Sequence, residues 1–114
     1  MAQLKLKLQL YCGEEIAMGP GKAALLQAIR ETGSISAAGR ELGMSYRRAW
    51  LLVDTMNRCF AVPLVEAHSG SGARVTEAGE AALADYLELA RRAETAAVGA
   101  AFERLERAIR RLPG

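Results

Sequence analysis

Aromatic residues are scarce in this chain: one Trp, three Tyr and two Phe among 114 residues. Packing therefore falls to aliphatic side chains and alanine. With 51% of residues apolar, there is enough for one small core. Histidine occurs once, at His68, and the two cysteines, Cys12 and Cys59, are far apart in sequence with no CxxC spacing. These shortages leave no metal-ligand pattern, so neither a metal nor a cofactor is expected. Two thiols in a chain without a secretion signal are expected to be reduced packing residues in a cytoplasmic protein. No run approaches the roughly 20 apolar residues that span a bilayer, so no membrane partner is expected. The N-terminal MAQLKLKLQLY alternates instead of forming a signal-peptide core. Nothing resembles a nucleophile–base pair, a phosphate-binding glycine loop or paired carboxylates, so an enzyme is not expected.

A strong charge imbalance is missing as well, since the formal net charge is only +2. Its distribution carries more meaning. Residues 1–75 hold nine Lys/Arg against six Asp/Glu, whereas residues 76–114 hold six against seven. The basic excess lies in the first segment, which predicts a polyanion-facing head over 1–75 and a different role for 76–114.

Leu4, Leu6, Leu8 and Leu10 alternate with Lys5, Lys7 and Gln9, the pattern of a strand with one apolar face. Gly13-Glu14-Glu15 reads as a turn, with Ile16 to Met18 as a short return strand. Pro20 opens a helix at a position where its missing N–H is harmless, and Leu25, Leu26 and Ile29 line the buried side. Gly33 supplies its left-handed cap. Ser36 is the expected N-cap of a short second helix, Ala37 to Leu42, whose small residues admit a close neighbour. Gly43 makes the turn. Ser45 caps a third helix, with Ala49, Val53 and Met56 as its inward stripe. Leu64-Val65 and Ala73-Arg74-Val75 flank a loop, His68 to Gly72. Thr76 then caps a final helix that has Glu77 and Glu80 in its first turn.

That final helix is expected to run to Leu112, more than ~50 Å at 1.5 Å per residue. Leu83, Leu87, Ala90, Ala97, Ala101, Leu105, Ile109 and Leu112 form an apolar strip along it. A strip that outruns its own domain calls for another surface, most simply the same helix of a second copy.

Two short helices joined by a glycine turn, the second opening Ser45-Tyr46-Arg47-Arg48, suit entry into a DNA major groove. Tyr46, Arg47 and Arg48 fall off the inward stripe. Arg47 is the best candidate base reader, and Arg48 is equally placed to hold phosphate, the alternative for either being a solvated charged face. Ser45 is both cap and candidate phosphate donor. Trp50 is expected to be partly buried, and Asp54 and Asn57 to be surface or local hydrogen-bonding groups. The loop Ser69-Gly70-Ser71-Gly72 suits a DNA-contacting wing, with Arg74 at its base, although a plain hairpin turn would look the same. His68 is expected to be exposed and uninvolved.

The stretch GSISAAGRELGMSYRRAWLLVDTMN resembles the N-terminal domain of the ModE family. So do the segments after it: Leu64-Val65-Glu66, a glycine-rich loop and Ala73-Arg74-Val75-Thr76-Glu77-Ala78-Gly79. ModE proteins are molybdate-responsive transcriptional regulators with a LysR-like head. The specific part of the likeness is Ser45-Tyr46-Arg47-Arg48-Ala49-Trp50 with Met56-Asn57 after it.

The resemblance implies a mainly α fold with small β-hairpins (α+β), a winged helix–turn–helix carrying a long C-terminal dimerisation helix. It places Ser34, Ser36, Ser45, Tyr46, Arg47 and Arg48 at the DNA surface, with the wing at Ser69, Gly70, Ser71, Gly72 and Arg74. The implied partners are double-stranded DNA and a second copy of the chain. The wing is shorter and less basic than is usual in the family, and no sensor domain follows the long helix in this sequence. Molybdate binding by this chain is therefore not expected. The competing expectation is a protein–protein adaptor that dimerises through the C-terminal helix without touching DNA.

Overall fold

Capping residues and short turns set most of the element boundaries in the computed structural model, which describes residues 2–68 and 72–109. Strands β1 (Leu10–Cys12) and β2 (Glu15–Met18) pair antiparallel across a turn at Gly13-Glu14, with Cys12 opposite Glu15. Helix α1 (Pro20–Thr32) has proline in its first turn and ends at Gly33, whose φ of 71° is left-handed. Helices α2 (Ile35–Glu41) and α3 (Tyr46–Cys59) follow, joined through a second left-handed glycine, Gly43. Strands β3 (Val65–His68) and β4 (Gly72–Val75) form a second antiparallel hairpin in the register Val65↔Val75 to His68↔Gly72. Helices α4 (Glu77–Ala97) and α5 (Ala100–Ala108) complete the described chain.

The core lies between α1, α3, the base of the second hairpin and the start of α4. Met18, Leu25, Leu26, Ile29, Met56, Leu64 and Leu83 are fully buried there. Ala49, Val53 and Met56 are the buried side of α3, as their spacing predicts. The small residues of α2 have a steric reason: a Cβ on Gly39 would sit 3.2 Å from that of Ala49. Close approach of α2 and α3 therefore depends on the missing side chain.

Three expectations are revised. The strand predicted from Leu4 onward is confined to Leu10–Cys12. Among the described residues its partner is β2, which runs directly into Gly19 and Pro20 and so offers no extended backbone to pair with residues 2–9. That segment is tied to the C-terminal helices instead, Tyr86 Oη donating to the Leu8 carbonyl at 2.8 Å and the Ala2 N–H to Glu106 Oε2 at 3.1 Å. Second, α2 is capped by Ser34, which accepts the Ala37 N–H at 3.1 Å, and not by Ser36. Starting the helix at Ile35 puts Ile35 and Ala38 on its buried face.

Third, the long C-terminal helix is interrupted at Val98 and Gly99, both extended. Glycine is about 1 kcal/mol poorer than alanine inside a helix, and exposed Val98 offers no packing to offset that. The apolar strip is thereby split between α4, about 32 Å long by its 21 residues, and α5.

Candidate nucleic-acid interface

The N-terminus of α3 is organised by Ser45, whose Oγ accepts the Arg48 N–H at 3.1 Å. The next three side chains, Tyr46, Arg47 and Arg48, are exposed. The helix is held by its buried Ala49/Val53/Met56 side, so the opposite side projects outward at its positive dipole end. Among the described residues, neither Arg47 nor Arg48 has a carboxylate within ion-pair distance. Other arginines do: Arg30 pairs with Glu80 at 2.9 Å, Arg58 with Glu15 and Asp54 at 3.0 Å each, and Arg74 with Glu66 at 3.1 Å. Arg40, Arg91, Arg104 and Arg107 are likewise without a carboxylate partner among the described residues. What sets Arg47 and Arg48 apart is their place at the opening of α3, where an anionic partner meets helix N–H groups and positive charge together.

A groove of about 250 Å³ runs beside this helix end, lined by Ser34, Ile35 and Ser36 of the α2 start, Tyr46 and Trp50 of α3, and Ala67, His68, Gly72 and Ala73 of the second hairpin. It brings Ser34, Ser36, Tyr46 and Gly72 to one concave surface. Ser45, Arg47 and Arg48 stand outside it. Ser34 Oγ is committed to its cap, and Ser36 Oγ accepts from Arg40 Nη1 at 3.0 Å. Arg74 is not among the groove's lining residues; it pairs instead with Glu66, its cross-strand partner, at 3.1 Å. Ser69, Gly70 and Ser71 lie outside the described residues.

The hairpin is fastened to the helical part on both strands, at its root on β3 and near the loop end on β4. Asn57 on α3 accepts the Leu64 and Val65 N–H groups at 2.9 and 3.2 Å and donates to the Val65 carbonyl at 3.0 Å. On the other strand, the Ala73 N–H donates to the Gly33 carbonyl at 2.9 Å. A Cβ on Gly72 would collide with that same carbonyl, and Gly72 has φ +112°, so glycine is required twice over. Thr76 closes the base, its Oγ1 donating to Pro63 O at 2.7 Å and accepting the Gly79 N–H at 3.0 Å.

Sequence reasoning missed three participants. Arg40 sits four residues after Ser36, a helical spacing that places the two side chains together. Trp50, expected to be partly buried, is 42% exposed and forms part of the groove wall, and His68 lines the groove with it. Asn57 is a structural tie to the hairpin, as its local hydrogen-bonding reading anticipated, but over a span of eight residues.

Along the predicted dimer strip, Leu83 belongs to the chain's own core at 1% exposure. Leu87, Leu105 and Ile109 are exposed, Ala101 is exposed, and Ala90 and Ala97 are half-buried. Leu112 lies outside the described residues. Leu87 and Ala90 edge a second groove of about 240 Å³, whose other walls include Leu6, Leu8, Ala23 and Ala24. Tyr86 lies in the same groove, and burial pushes its phenol above the ordinary tyrosine range. Among the described residues no helix is long and apolar enough to cross a membrane, and no cluster of three or more His, Cys, Asp or Glu is arranged to hold a metal ion.

A family model described as bacterial regulatory helix-turn-helix protein, lysR family, matches residues 22–80. The molybdenum-pterin-binding protein MopB of Rhodobacter capsulatus is 51% identical over 73 residues, 60% of this chain and 27% of the relative. The transcriptional regulator ModE of Yersinia pestis is 35% identical over 82 residues, 68% of this chain and 31% of the relative. The chain spans less than a third of the length of these curated relatives. Among solved structures, the complex of the CbnR DNA-binding domain with DNA aligns with a TM-score of 0.55 at 29% identity, covering 66% of this chain and 88% of that one.

Proposed function

Because the chain belongs to the LysR family of bacterial regulatory helix-turn-helix proteins, we propose that it regulates transcription by binding a roughly palindromic promoter site as a homodimer. The observation that carries this reading is the pair Arg47 and Arg48, exposed at the N-terminus of α3 and free of carboxylate partners among the described residues, while Arg30, Arg58 and Arg74 are paired. In this reading the start of α3 enters the major groove. Arg47 bonds a guanine edge, and Arg48 with the Ser45 end of the helix holds phosphate. The second hairpin lies along the backbone or minor groove beside it.

Two heads would present their α3 helices to successive major grooves, about one DNA turn (~34 Å) apart or a multiple of it. The surface proposed for pairing is α4 and α5, through Leu87, Ala90, Leu105 and Ile109, because Leu87, Leu105 and Ile109 are exposed and Ala90 edges the same open groove as Leu87. The names of the relatives point to molybdenum-related genes as targets. The adaptor reading, without DNA contact, is disfavoured by the regulatory helix-turn-helix family match and by the likeness to a domain solved on DNA. Gel-shift selection from genomic fragments, with and without molybdate, tests the proposal. It expects a discrete palindromic site whose occupancy by this chain is indifferent to molybdate, and no preferred fragment at any salt concentration would overturn it.

A further inference from the structure

The two cysteines, 47 positions apart in sequence, are brought together by the fold. Cys12 ends β1 and is the cross-strand partner of Glu15, so the two side chains leave the first hairpin on the same face. That face meets the end of α3. The Glu15 carboxylate takes two bonds from Arg58 Nη1, at 3.0 and 3.1 Å, and lies 3.7 Å from the Cys59 Sγ. Cys12 is exposed and Cys59 half-buried, so small solutes reach the pair.

We propose that Cys12 and Cys59 form a reversible disulfide within one chain when the protein meets a peroxide. The exposed Cys12 thiolate attacks one peroxide oxygen, the O–O bond breaks, and the departing hydroxide takes a proton to become water. Cys12 is then a sulfenic acid. Cys59 sulfur attacks the Cys12 sulfur and expels its oxygen, which leaves as a second water with the Cys59 proton. Two thiols lose two electrons, one peroxide gains them, and a dithiol reductant reverses the change. Burial, followed by the neighbouring Cys12, pushes the Cys59 thiol above its ordinary value, which suits Cys59 to the resolving role and leaves the first attack to Cys12. Glu15 does not obstruct the bond, because Arg58 retains its carboxylate when the Cys59 contact is given up. The link would join the first hairpin to the last residue of α3, roughly 20 Å along the helix from the Ser45 end, stiffening the scaffold without covering the reading end.

The test treats the full chain with hydrogen peroxide, alkylates residual thiols and digests with trypsin without reductant. The expected product is peptide 8–22 joined to peptide 59–74, two hydrogens lighter than their sum, from protein that migrates as a single chain on a non-reducing gel. The melting midpoint should rise by about 10 °C, return on adding dithiothreitol, and fail to rise in Cys12→Ser, whose side chain is exposed and whose untreated melting should match the parent. Chains cross-linked to one another, sulfinic acid at Cys12 beside an unmodified Cys59, or a linked peptide with unchanged melting would each overturn the proposal, the last because the bond would then form only away from the folded arrangement.

Discussion

Asn57 and Val65 are bonded in both directions, the Asn57 Nδ2 donating to the Val65 carbonyl at 3.0 Å and its Oδ1 accepting the Val65 N–H at 3.2 Å. One amide thus substitutes for a neighbouring strand at the root of the second hairpin, and the same Oδ1 also takes the Leu64 N–H at 2.9 Å. Asn57→Ala leaves two part-buried N–H groups and a carbonyl without these partners. It should cost about 1–3 kcal/mol, read as a lower urea midpoint with an unchanged slope. A midpoint within error of the parent would mean that solvent replaces the amide.

Gly79→Ala is expected to destabilise even though alanine is the better helix former by about 1 kcal/mol. The added Cβ would drive into the Leu64 carbonyl and close on the Val75 side chain, and a backbone carbonyl held by the Thr76 N–H at 2.9 Å cannot step aside cheaply. A loss of about 1–3 kcal/mol is expected. A rise in the melting midpoint would show that α4 slides away from the hairpin base at little cost.

Arg47→Ala should weaken specific DNA binding by about 1–3 kcal/mol and relax base preference at one position of each half-site. Arg48→Ala should weaken all sequences alike and reduce the salt slope of binding by about one unit per site contacted. Arg58→Ala, whose charge is already answered by Asp54 and Glu15, serves as the contrast and should leave DNA affinity nearly unchanged. Fluorescence anisotropy across a salt series separates the three. Equal effects from Arg47 and Arg58 would remove the case for a reading end.

Leu105→Glu places a charge on the exposed face of α5 and should yield monomers in light scattering with the fold intact by circular dichroism. Leu83→Ala should instead lower stability by about 2–5 kcal/mol, because that side chain fills the chain's own core. Unchanged dimers in the Leu105 variant would put the pairing surface elsewhere.

The caps at Gly33, Ser45 and Thr76 and the inward side of α3 were legible in the sequence because each depends on residues a few positions apart. Ser34 and Ser36 were not separable as caps by local chemistry, since both are serines at the start of the same short helical stretch; burial of Ile35 decides between them. The alternation at Leu4 to Leu10 suggested a two-faced strand, but Leu4, Leu6 and Leu10 are all exposed and only Leu10 belongs to β1, because β2 is too short to pair with the residues before it. Gly99 was visible as the one weak point of the last helix. Whether it breaks depends on packing that a periodic pattern does not contain. The charge at Arg74 was visible, whereas its capture by Glu66 follows from hairpin register. Arg47 and Arg48 stood out by position, and what the fold adds is that both are exposed on the side of α3 away from its buried stripe, with no carboxylate partner among the described residues.

The fastening of both strands of the second hairpin, by Asn57 at the root of β3 and by the Gly33 carbonyl at Ala73 of β4, bears on how such a head diversifies. Residues inserted between positions 68 and 72 add length beyond the two anchors, so they disturb neither the core nor the angle at which the hairpin leaves it. Variation there can alter contact with a partner while folding stability stays constant. Change at the anchors is penalised whatever the partner. Selection can therefore act on the reach of the hairpin and on the integrity of the head as two nearly independent traits.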